Sequence, residues 1–435
     1  MADLVDVVVL GAGAAGVAAA RALHEQGMNV VVLEARERIG GRVFTCRDAK
    51  SPMPIELGAE FIHGRADELQ MLLRDASLPS LDVAGERYAA TATGLRPLND
   101  FWERLDRVMR RLKGPPVRDR SFHEFLDDRP GGARLARERR LARQWVEGFH
   151  AADARLISSH SLAEAGWPAD VEERRIGRVV DGYDRVIEWL AKPLAGRIRL
   201  GAVVTRVRWA PGNVVIEVRE SDGMERTAIE ARAAVVAVPL GVLKASAGDT
   251  GFIQFVPELR AKGRALAALA VGSALRVVFR LRERFWSSDY DTLSFLHSSD
   301  KDFPTWWTAY PMREPLMVAW CGGPNARGLS LLGAGELEAR ALSALSRQFH
   351  ISRQRLAGLV EGFWTHDWDH DPFSRGAYSY SVVGGSEAPS WLARPLRRTL
   401  FFAGEAADSE GSTGTVHGAT ASGRRAARQV TRALG

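Results

Sequence analysis

The most constraining feature of this sequence is a strand, a glycine turn, a helix and a second strand at its N-terminal end. Residues 4–10 form an apolar, β-branched run that is typical of a buried parallel strand. Three glycines follow at GxGxxG spacing: Gly11, Gly13 and Gly16. An alanine-rich segment with high helix propensity comes next. A second apolar run, residues 30–33, ends at Glu34. This order is the fingerprint of a dinucleotide-binding βαβ unit.

Each residue of the fingerprint has its own physical task. Gly11 permits the tight turn, and Gly13, close to Ala15, allows the backbone to approach a pyrophosphate. Gly16 allows helix and strand to pack closely, and Glu34 accepts hydrogen bonds from a ribose. The sequence therefore predicts an α/β fold with a Rossmann-like domain.

The segment after Glu34 indicates which dinucleotide is bound. It adds a second glycine pair that ends at Gly41, and arginines at positions 36 and 42. A nicotinamide cofactor has no need of these added groups, whereas the longer FAD does. FAD is therefore the predicted cofactor, with further contacts from Ala35, Arg36, Gly41 and Arg42.

Five further motifs are spread from one end of the chain to the other. They are residues 56–64 (ELGAEFIHG), 181–183 (DGY), 237–244 (AVPLGVLK), 402–405 (FAGE) and 413–419 (TGTVHGA). On these motifs and their order, the chain resembles the flavin-containing amine oxidases, which include monoamine oxidases, polyamine and spermine oxidases and flavin-dependent histone demethylases. The resemblance implies an FAD-dependent oxidoreductase that acts on CH–NH or CH–NH2 groups.

The resemblance also implies flavin contacts beyond the fingerprint. Backbone of residues 57–61 is expected beside the isoalloxazine, and Val204 is expected to hold the adenine. Flavin that accepts hydride becomes anionic, and a helix opening after Thr415 can direct its N-terminal amides at that charge. The implied contacts are Gly58, Ala59, Glu60, Phe61, Val204, Trp368, Gly404, Glu405, Gly414, Thr415, Val416 and Ala419.

Substrate-side residues follow from the same motifs. Tyr378 stands where the family has one wall of an aromatic cage for the amine, and Thr415 replaces the opposite tyrosine of monoamine oxidases. His63 matches a histidine of the spermine-oxidase motif, and a buried core histidine fits the pattern equally well. Ala377 stands where monoamine oxidases carry the cysteine that links the flavin, so FAD is predicted to be non-covalent.

Arg276 is the main departure from the family. Amine oxidases of this type carry a lysine ten residues before the tryptophan of a Phe-Trp pair, where it holds a water against flavin N5. Counting back from Trp286 gives Arg276. The alternative is that Arg276 is an ordinary strand residue. At N5, its permanent charge is expected to stabilise reduced flavin and to slow the reaction of that flavin with O2.

The motifs divide the chain into two interleaved domains. The predicted FAD-binding domain comprises residues 1–80, 181–245 and 395–435. The predicted substrate-binding domain comprises residues 81–180 and 246–394. Residues 99–165 follow helical spacing, and residues 275–281 alternate as a strand. The expected architecture is a Rossmann-like domain interleaved with an α+β domain that carries a mixed sheet and a helical part.

Two other patterns have an ordinary structural explanation. Four aromatic residues on predicted strands of the second domain are expected in the core: Trp306, Trp307, Tyr310 and Trp320. His366 and His370 have the spacing of a ligand pair on a helix, but no obvious helix carries them. No metal site is therefore predicted.

Composition excludes several other classes of protein. The chain has 435 residues, and 59 basic against 53 acidic residues give it a net charge of +6. These charges are spread along the chain, so no nucleic-acid partner is predicted. Cys46 and Cys321 are too few for a disulfide scaffold. Without a signal peptide or an apolar run of the ~18–20 residues that a membrane helix needs, we expect a cytoplasmic protein with no membrane contact.

The leading functional prediction is an amine oxidase. An unprotonated amine would donate hydride to flavin N5, the imine would hydrolyse to an aldehyde, and O2 would reoxidise the flavin to give H2O2. Amino-acid oxidases carry a carboxylate-binding arginine where this chain has residues 60–63, so a polyamine or monoamine is favoured. Two alternatives are a desaturase or dehydrogenase that uses another electron acceptor, and a flavin-loaded binding protein with little turnover. No feature of the sequence indicates an oligomeric state.

Overall fold

The computed structural model describes residues 5–115, 117–165, 173–220 and 226–435. Its helices are α1 (Ala14–His24), α2 (Asp67–Asp75), α3 (Phe101–Met109), α4 (Phe122–Asp127), α5 (Ala136–Phe149), α6 (Ser159–Glu164), α7 (Asp184–Ala191), α8 (Leu240–Leu243), α9 (Gly263–Ala268), α10 (Pro324–Leu329), α11 (Ala334–Phe349), α12 (Arg353–Leu359), α13 (Ala388–Ala393) and α14 (Val416–Leu434).

Its strands are β1 (Val5–Leu10), β2 (Val30–Leu33), β3 (Thr45–Cys46), β4 (Ile55–Glu56), β5 (Phe61–His63), β6 (Ser80–Asp82), β7 (Glu86–Thr91), β8 (Gly94–Pro97), β9 (Ile176–Val179), β10 (Ile198–Arg199), β11 (Ala202–Ala210), β12 (Asn213–Glu220), β13 (Arg226–Val236), β14 (Gln254–Val256), β15 (Leu269–Val271), β16 (Ala274–Leu281), β17 (Leu293–His297), β18 (Thr305–Thr308), β19 (Leu316–Gly322), β20 (Val360–Thr365), β21 (Ser379–Ser381) and β22 (Leu400–Phe402).

Strand β1 lies inside the first sheet, whose order is β10-β2-β1-β13-β12-β11-β14, with β22 also paired to β13. It runs parallel to β2 and β13. Val7 and Val9 face a core shared with α1 and α14, whereas Val8 and Leu10 face the core on the other side. Both faces are buried, which is why the run is apolar at every position. The predicted strand, helix and strand are confirmed, and Leu4 of the predicted strand lies outside the described residues.

The second sheet is mixed and has the order β20-β16-β19-β18-β17-β7-β8. Strands β17 and β7 run parallel, and the other neighbours are antiparallel. All residues of β16 are buried, because both of its faces are covered. Val277 and Phe279 pack in a core with helix α11, and Val278 packs on the opposite face with Trp307.

The helical part lies where helical spacing predicted it. Helices α3 to α6 fall within residues 99–165, and their apolar faces form a core of their own with Leu105, Val108 and Val146 at its centre. At the start of α4, Ser121 and Glu124 form a reciprocal capping box that satisfies two backbone amides.

The two sheets draw on alternating stretches of the chain. The first takes strands from residues 5–33, 198–256 and 400–402, and the second from residues 86–97 and 274–365. This is the interleaved α/β architecture that the sequence predicts. The exact domain boundaries stay a proposal, and β14, from the segment 246–394, adds a strand to the first sheet. No helix in the described part of the chain is long and apolar enough to cross a membrane.

Helices α1 and α14 touch through a glycine, which generates a stability prediction. A Cβ on Gly423 would lie 2.2 Å from the backbone oxygen of Ala15, so the two helices would have to separate. We expect Gly423→Ala to destabilise the fold by about 1–3 kcal/mol through overpacking. Urea unfolding followed by circular dichroism measures the change in the free energy of unfolding.

The matched control is Gly335→Ala in the first turn of α11. A Cβ there meets nothing within 4 Å, so the added methyl should leave stability unchanged or raise it by up to about 1 kcal/mol. Equal effects of the two substitutions would contradict the packing described for α1 and α14.

Candidate active site

A cavity of about 1290 Å³ is lined by residues of both sheets and of the helical part. The predicted site residues that line it are Gly11, Gly13, Ala15, Glu34, Ala35, Arg36, Gly41, Arg42, Gly58, Ala59, Glu60, Phe61, His63, Val204, Arg276, Trp368, Tyr378, Gly404, Glu405, Gly414, Thr415, Val416 and Ala419. Gly16 does not line the cavity. A Cβ on Gly16 would stand 1.9 Å from the Gly11 backbone oxygen, so this glycine acts through packing.

The glycine turn forms an open cradle at the end of β1. Gly11 has φ +99°, a backbone conformation that side chains disfavour. Gly13 pairs with Gly40 through an isolated bridge, and a Cβ on Gly41 would lie 3.4 Å from the Gly13 Cα. The absence of side chains here keeps backbone amides at the start of α1 open to the cavity, where they fit a pyrophosphate.

Glu34 lies at the end of β2 with its carboxylate held in place by two backbone amides. Oε2 accepts from the Ala12 amide at 2.8 Å, and Oε1 accepts from the Arg36 amide at 3.0 Å. The residue is 4% exposed and lines the cavity, so its remaining lone pairs point where a ribose fits.

The Arg36 side chain ties this loop to the segment that precedes Tyr378. Its Nη2 donates to Asp371 Oδ1 at 2.7 Å, and His366 Nε2 lies 3.0 Å from Asp371 Oδ2. Burial alone would raise the pKa of Asp371, but the hydrogen bonds from His366 and Arg36 hold that pKa well below its ordinary value. Asp371 is therefore ionised and completes a salt bridge between the two parts of the molecule.

Glu405 organises a second junction. Its carboxylate accepts from Arg42 Nη1 at 2.9 Å, from the Ser379 hydroxyl at 2.7 Å and from the Gly414 amide at 3.2 Å. Arg42 also donates to the Ala377 carbonyl. The Glu405 carboxylate thereby fixes the loop that opens helix α14 against the start of strand β21, which directly follows Tyr378.

Helix α14 begins at the cavity wall. Thr415 is its N-cap, and its hydroxyl accepts from the Gly418 amide at 3.0 Å and donates to the Ser412 carbonyl at 2.6 Å. A Cβ on Gly414 would stand 3.3 Å from the Tyr378 ring, so the start of the helix lies against that ring. The positive end of this 19-residue helix faces the cavity, where it can stabilise negative charge.

The residues beside segment 57–61 form a buried ionic cluster. Glu60 accepts from Arg178 Nε at 2.7 Å, and its other oxygen lies 3.2 Å from Arg276 Nη1. Trp307 Nε1 also donates to Glu60, at 3.1 Å. Both arginine side chains and the carboxylate are at least nine-tenths buried. Two guanidinium groups share one carboxylate, so the cluster keeps one net positive charge.

Arg276 reaches this cluster from the middle of β16. Nη1 donates to the Glu56 carbonyl at 2.7 Å, and the guanidinium lies 5.3 Å from the Trp307 ring and 5.7 Å from the Trp320 ring. Burial lowers the pKa of Arg276, and Glu60 opposes that shift. Among the described residues its Nε has no hydrogen-bond partner. The cation is therefore fixed in position at the cavity wall.

Aromatic side chains form the wall opposite the glycine cradle. Tyr378 donates its hydroxyl to the Phe149 carbonyl at 2.6 Å, and Trp320 Nε1 donates to the Gly148 carbonyl at 2.9 Å. Burial raises the pKa of Tyr378 well above its ordinary value, so the phenol stays neutral. Trp306 and Trp307 are buried in the core as expected, and Trp307 also lines the cavity. Trp320 and Tyr310 are only partly buried, and Trp320 lines the cavity, so the expectation of a core position is wrong for Trp320.

Two histidines of the cavity wall are held neutral. Burial lowers the pKa of His63 to about 4, and the neighbouring His417 contributes to the shift. Burial likewise lowers the pKa of His417 to about 4. The His63 ring meets Phe149 edge-on at 5.1 Å. Of the two interpretations of His63, the structure supports the one in which it lines the site.

Sequence reasoning missed several residues that line this wall, Arg87, His297, His417, Trp307 and Trp320, and it missed Arg178, which does not line the cavity but holds Glu60 from behind. Most lie on short strands whose alternation shows two faces but does not tell which face meets the cavity. His417 belongs to the motif at 413–419 and was available as a signal. His366 pairs with Asp371, and His370 pairs with Asp367. Among the described residues, no group of three or more His, Cys, Asp or Glu side chains could hold a metal ion.

Comparison with known proteins connects this geometry to a family. The family profile described as flavin containing amine oxidoreductase matches residues 14–431. Polyamine oxidase 4 of Oryza sativa subsp. japonica is 30% identical over 460 residues, covering 97% of this chain and 87% of that protein. Lysine-specific histone demethylase 1 homolog 2 of Arabidopsis thaliana is 30% identical over 449 residues, covering 98% of this chain and 58% of that protein.

Solved structures show the same fold. Wild-type putrescine oxidase bound to putrescine superimposes with a TM-score of 0.82 at 21% identity, over 99% of both chains.

The position of Glu34 generates a prediction about cofactor affinity. Glu34→Ala removes a buried, pre-oriented acceptor for ribose hydroxyls, and charge-assisted hydrogen bonds of this kind contribute about 1.5–3 kcal/mol. FAD should therefore bind roughly tenfold to a hundredfold more weakly, as measured by titrating apoprotein and following flavin fluorescence.

Glu37→Ala is the matched control, because Glu37 is exposed and does not line the cavity. Its affinity for FAD should equal that of the unsubstituted protein. An unchanged affinity in the Glu34 variant would mean that the fingerprint has been misassigned.

Proposed function

Because the chain belongs to the flavin-containing amine oxidoreductase family, we propose that it oxidises a small-molecule amine, a polyamine or monoamine, with O2 as electron acceptor. The protein is an FAD-dependent oxidoreductase acting on CH–NH or CH–NH2 groups, and it holds FAD non-covalently. The amine would lose two electrons and two hydrogens to become an imine, which water converts to an aldehyde, while O2 becomes H2O2. Bound FAD supplies the hydride acceptor for this chemistry.

The observation that carries the proposal is the continuity of the cavity. One end has the glycine cradle and Glu34, which fit the dinucleotide part of FAD. The other end has Trp307, Trp320 and Tyr378, which present aromatic faces and little polar surface. A site of this kind orients an amine by π contact and excludes water from the reacting carbon.

The charges of the wall favour the neutral form of the amine. Only an unprotonated amine can donate hydride, and the net positive charge shared by Arg276, Arg178 and Glu60 disfavours an ammonium nearby. His63 and His417 are neutral at pH 7, since burial lowers their pKa values to about 4. They therefore add no positive charge to this wall, and an unprotonated ring nitrogen of each can accept a hydrogen bond.

Arg276 also supports a second candidate, in which an acceptor other than O2 takes the electrons. The resemblance implies a lysine that holds a water at this position, whereas Arg276 is fixed by Glu60 and the Glu56 carbonyl. The longer, planar guanidinium would displace that water, so reaction with O2 would be slow. A cytoplasmic location is part of the proposal in either case.

An anaerobic screen tests the function directly. Monoamines, diamines, polyamines and N-methylated lysine peptides are mixed with the holoprotein, and bleaching of the flavin absorbance is recorded. An oxidase should be bleached by at least one amine and should release H2O2 when air is admitted. Bleaching without peroxide would select the alternative acceptor, and the absence of bleaching by every amine would refute both.

The position of Arg276 generates a kinetic prediction. Arg276→Lys should make reoxidation by O2 several times faster and leave flavin reduction by amine less affected, because the shorter lysine leaves room for an ordered water that the longer, planar guanidinium would displace. Rapid-mixing absorbance measurements separate the two half-reactions.

Arg280→Lys is the control for this variant. Arg280 is a buried arginine of the same strand, but it pairs with Asp48 and Glu361 and does not line the cavity. It should leave both half-reactions unchanged. If Arg276→Lys also changes neither, Arg276 does not act at the reacting end of the cavity.

A further inference from the structure

Arg87 is a cation of the cavity wall that the amine oxidase chemistry does not use. Its guanidinium lies over three aromatic rings, 5.2 Å from Phe295, 5.5 Å from Trp102 and 5.7 Å from Phe101. It forms no ion pair with any carboxylate of the described residues. Arg87 lines the cavity, and ring contacts over the faces of a planar guanidinium leave its N–H groups available to donate hydrogen bonds.

The neighbour of Arg87 is also unsatisfied. The Nε2 atom of His297 is buried and has no hydrogen-bond partner in the described part of the chain. Burial, and then the nearby Arg87, lower the pKa of His297 to about 3, so the ring is neutral. Burial lowers the pKa of Arg87 to about 10, so the guanidinium keeps its charge at neutral pH. One uncompensated cation and one unpaired ring nitrogen therefore meet in the same part of the cavity.

Arg87 and Arg276, the two cavity arginines that the second sheet carries, lie on one face of that sheet. Register pairs Arg87 with Phe295, Phe295 with Trp307, and Trp307 with Val318, which pairs with Val278, two residues after Arg276. The steps along this face are 5.3 Å from Arg276 to the Trp307 ring, 6.2 Å from there to Phe295, and 5.2 Å from Phe295 to Arg87. Arg87 is thus separated from the reacting end by two aromatic rings.

We propose that Arg87 and His297 bind an anionic group at the far end of the substrate, which makes the substrate an amine with a remote carboxylate or phosphate. This inference rests on the proposed oxidation of an amine at the Arg276 end. An anion there would pair with a guanidinium that is otherwise uncompensated and would satisfy the His297 nitrogen. An α-amino acid does not fit, because its carboxylate lies beside the reacting carbon.

The same charges act against a polyamine. The far end of a diamine or polyamine is an ammonium, which Arg87 would repel across a wall of low polarity. Glu164 and Glu173 also line the cavity, but both are exposed, so water screens their charge. The inner wall therefore discriminates by the sign of the remote group, in contrast to the substrates named for the polyamine oxidases among the relatives.

Matched ligands test the sign of this group. We would titrate the holoprotein anaerobically with ω-amino carboxylates of increasing length, with the α,ω-diamines of equal length and with phosphate monoesters of the corresponding amino alcohols. At the best length, the anionic ligands should show apparent Kd values for flavin reduction at least roughly tenfold lower than the diamine, as expected for a charge-assisted contact. The comparison of carboxylate with phosphate identifies which anion fits. A diamine that binds better than both would overturn the proposal.

Substitutions assign the effect to Arg87. Arg87→Met keeps much of the side-chain stem but removes the charge, and it should raise KM for the anionic ligands by roughly tenfold or more while leaving kcat with a simple monoamine little changed. Arg87→Lys should restore part of the loss. Arg96→Met, an exposed arginine on the partner strand β8, is the control and should match the unsubstituted protein.

A non-reacting ligand separates this inference from the proposed function. Linear carboxylates without an amine should shift the flavin absorbance and raise the melting temperature of the holoprotein, and Arg87→Met should abolish both effects. If no amine bleaches the flavin but these carboxylates still bind through Arg87, the amine oxidation fails and the anion site stands. If carboxylates bind equally to the Arg87 and Arg96 variants, the anion site is refuted.

Discussion

The carboxylate of Glu60 is the contact on which the organisation of the site depends. It joins three stretches of the chain: segment 57–61, strand β9 through Arg178, and strand β16 through Arg276. Arg178 further donates to the carbonyls of Thr308, Ala309 and Tyr310, so the loop after β18 is held by the same cluster. Removing one partner from a buried cluster of this kind typically costs 3–5 kcal/mol, because the remaining charges lose their compensation. The wall beside the expected flavin edge is therefore rigid.

Burial sets the chemical state of the rest of the cavity. It keeps His63 and His417 neutral and Tyr378 protonated, while the arginines remain charged because guanidinium holds its proton so strongly. The wall thus has fixed cations and neutral polar groups. Such a surface can stabilise negative charge at two separate places, near segment 57–61 and near Arg87. The aromatic rings between these places form an apolar surface along which a linear substrate can lie.

Two residues that the family resemblance does not lead us to expect, Glu60 and Arg276, pair with each other. The resemblance implies a lysine where this chain has Arg276, and Glu60 is not typical of the spermine-oxidase form of the motif at residues 56–64. In the structure they form one ion pair, with Nη1 of Arg276 3.2 Å from Glu60. A buried lysine can lose its proton, so it depends less on a carboxylate partner. A buried arginine stays charged and therefore requires one. Each charge therefore compensates the other in a buried wall. The sequence alone does not reveal this pairing, because the two residues are far apart in the chain.

The sequence by itself determined the βαβ unit, the glycine turn, the acid at Glu34 and the family, because these depend on local periodicity and on backbone conformations that only glycine adopts easily. Of the cofactor contacts that it predicts, all except Gly16 line the cavity, and their contact with FAD stays a prediction. It did not determine that Trp307 and Trp320 face the cavity, that Glu60 pairs with both Arg178 and Arg276, or that Arg87 lacks a carboxylate partner within the described residues. Those facts were decided by tertiary structure, since the burial and pairing of a side chain depend on which distant strands pack around it, and that packing in turn sets its charge and its chemistry.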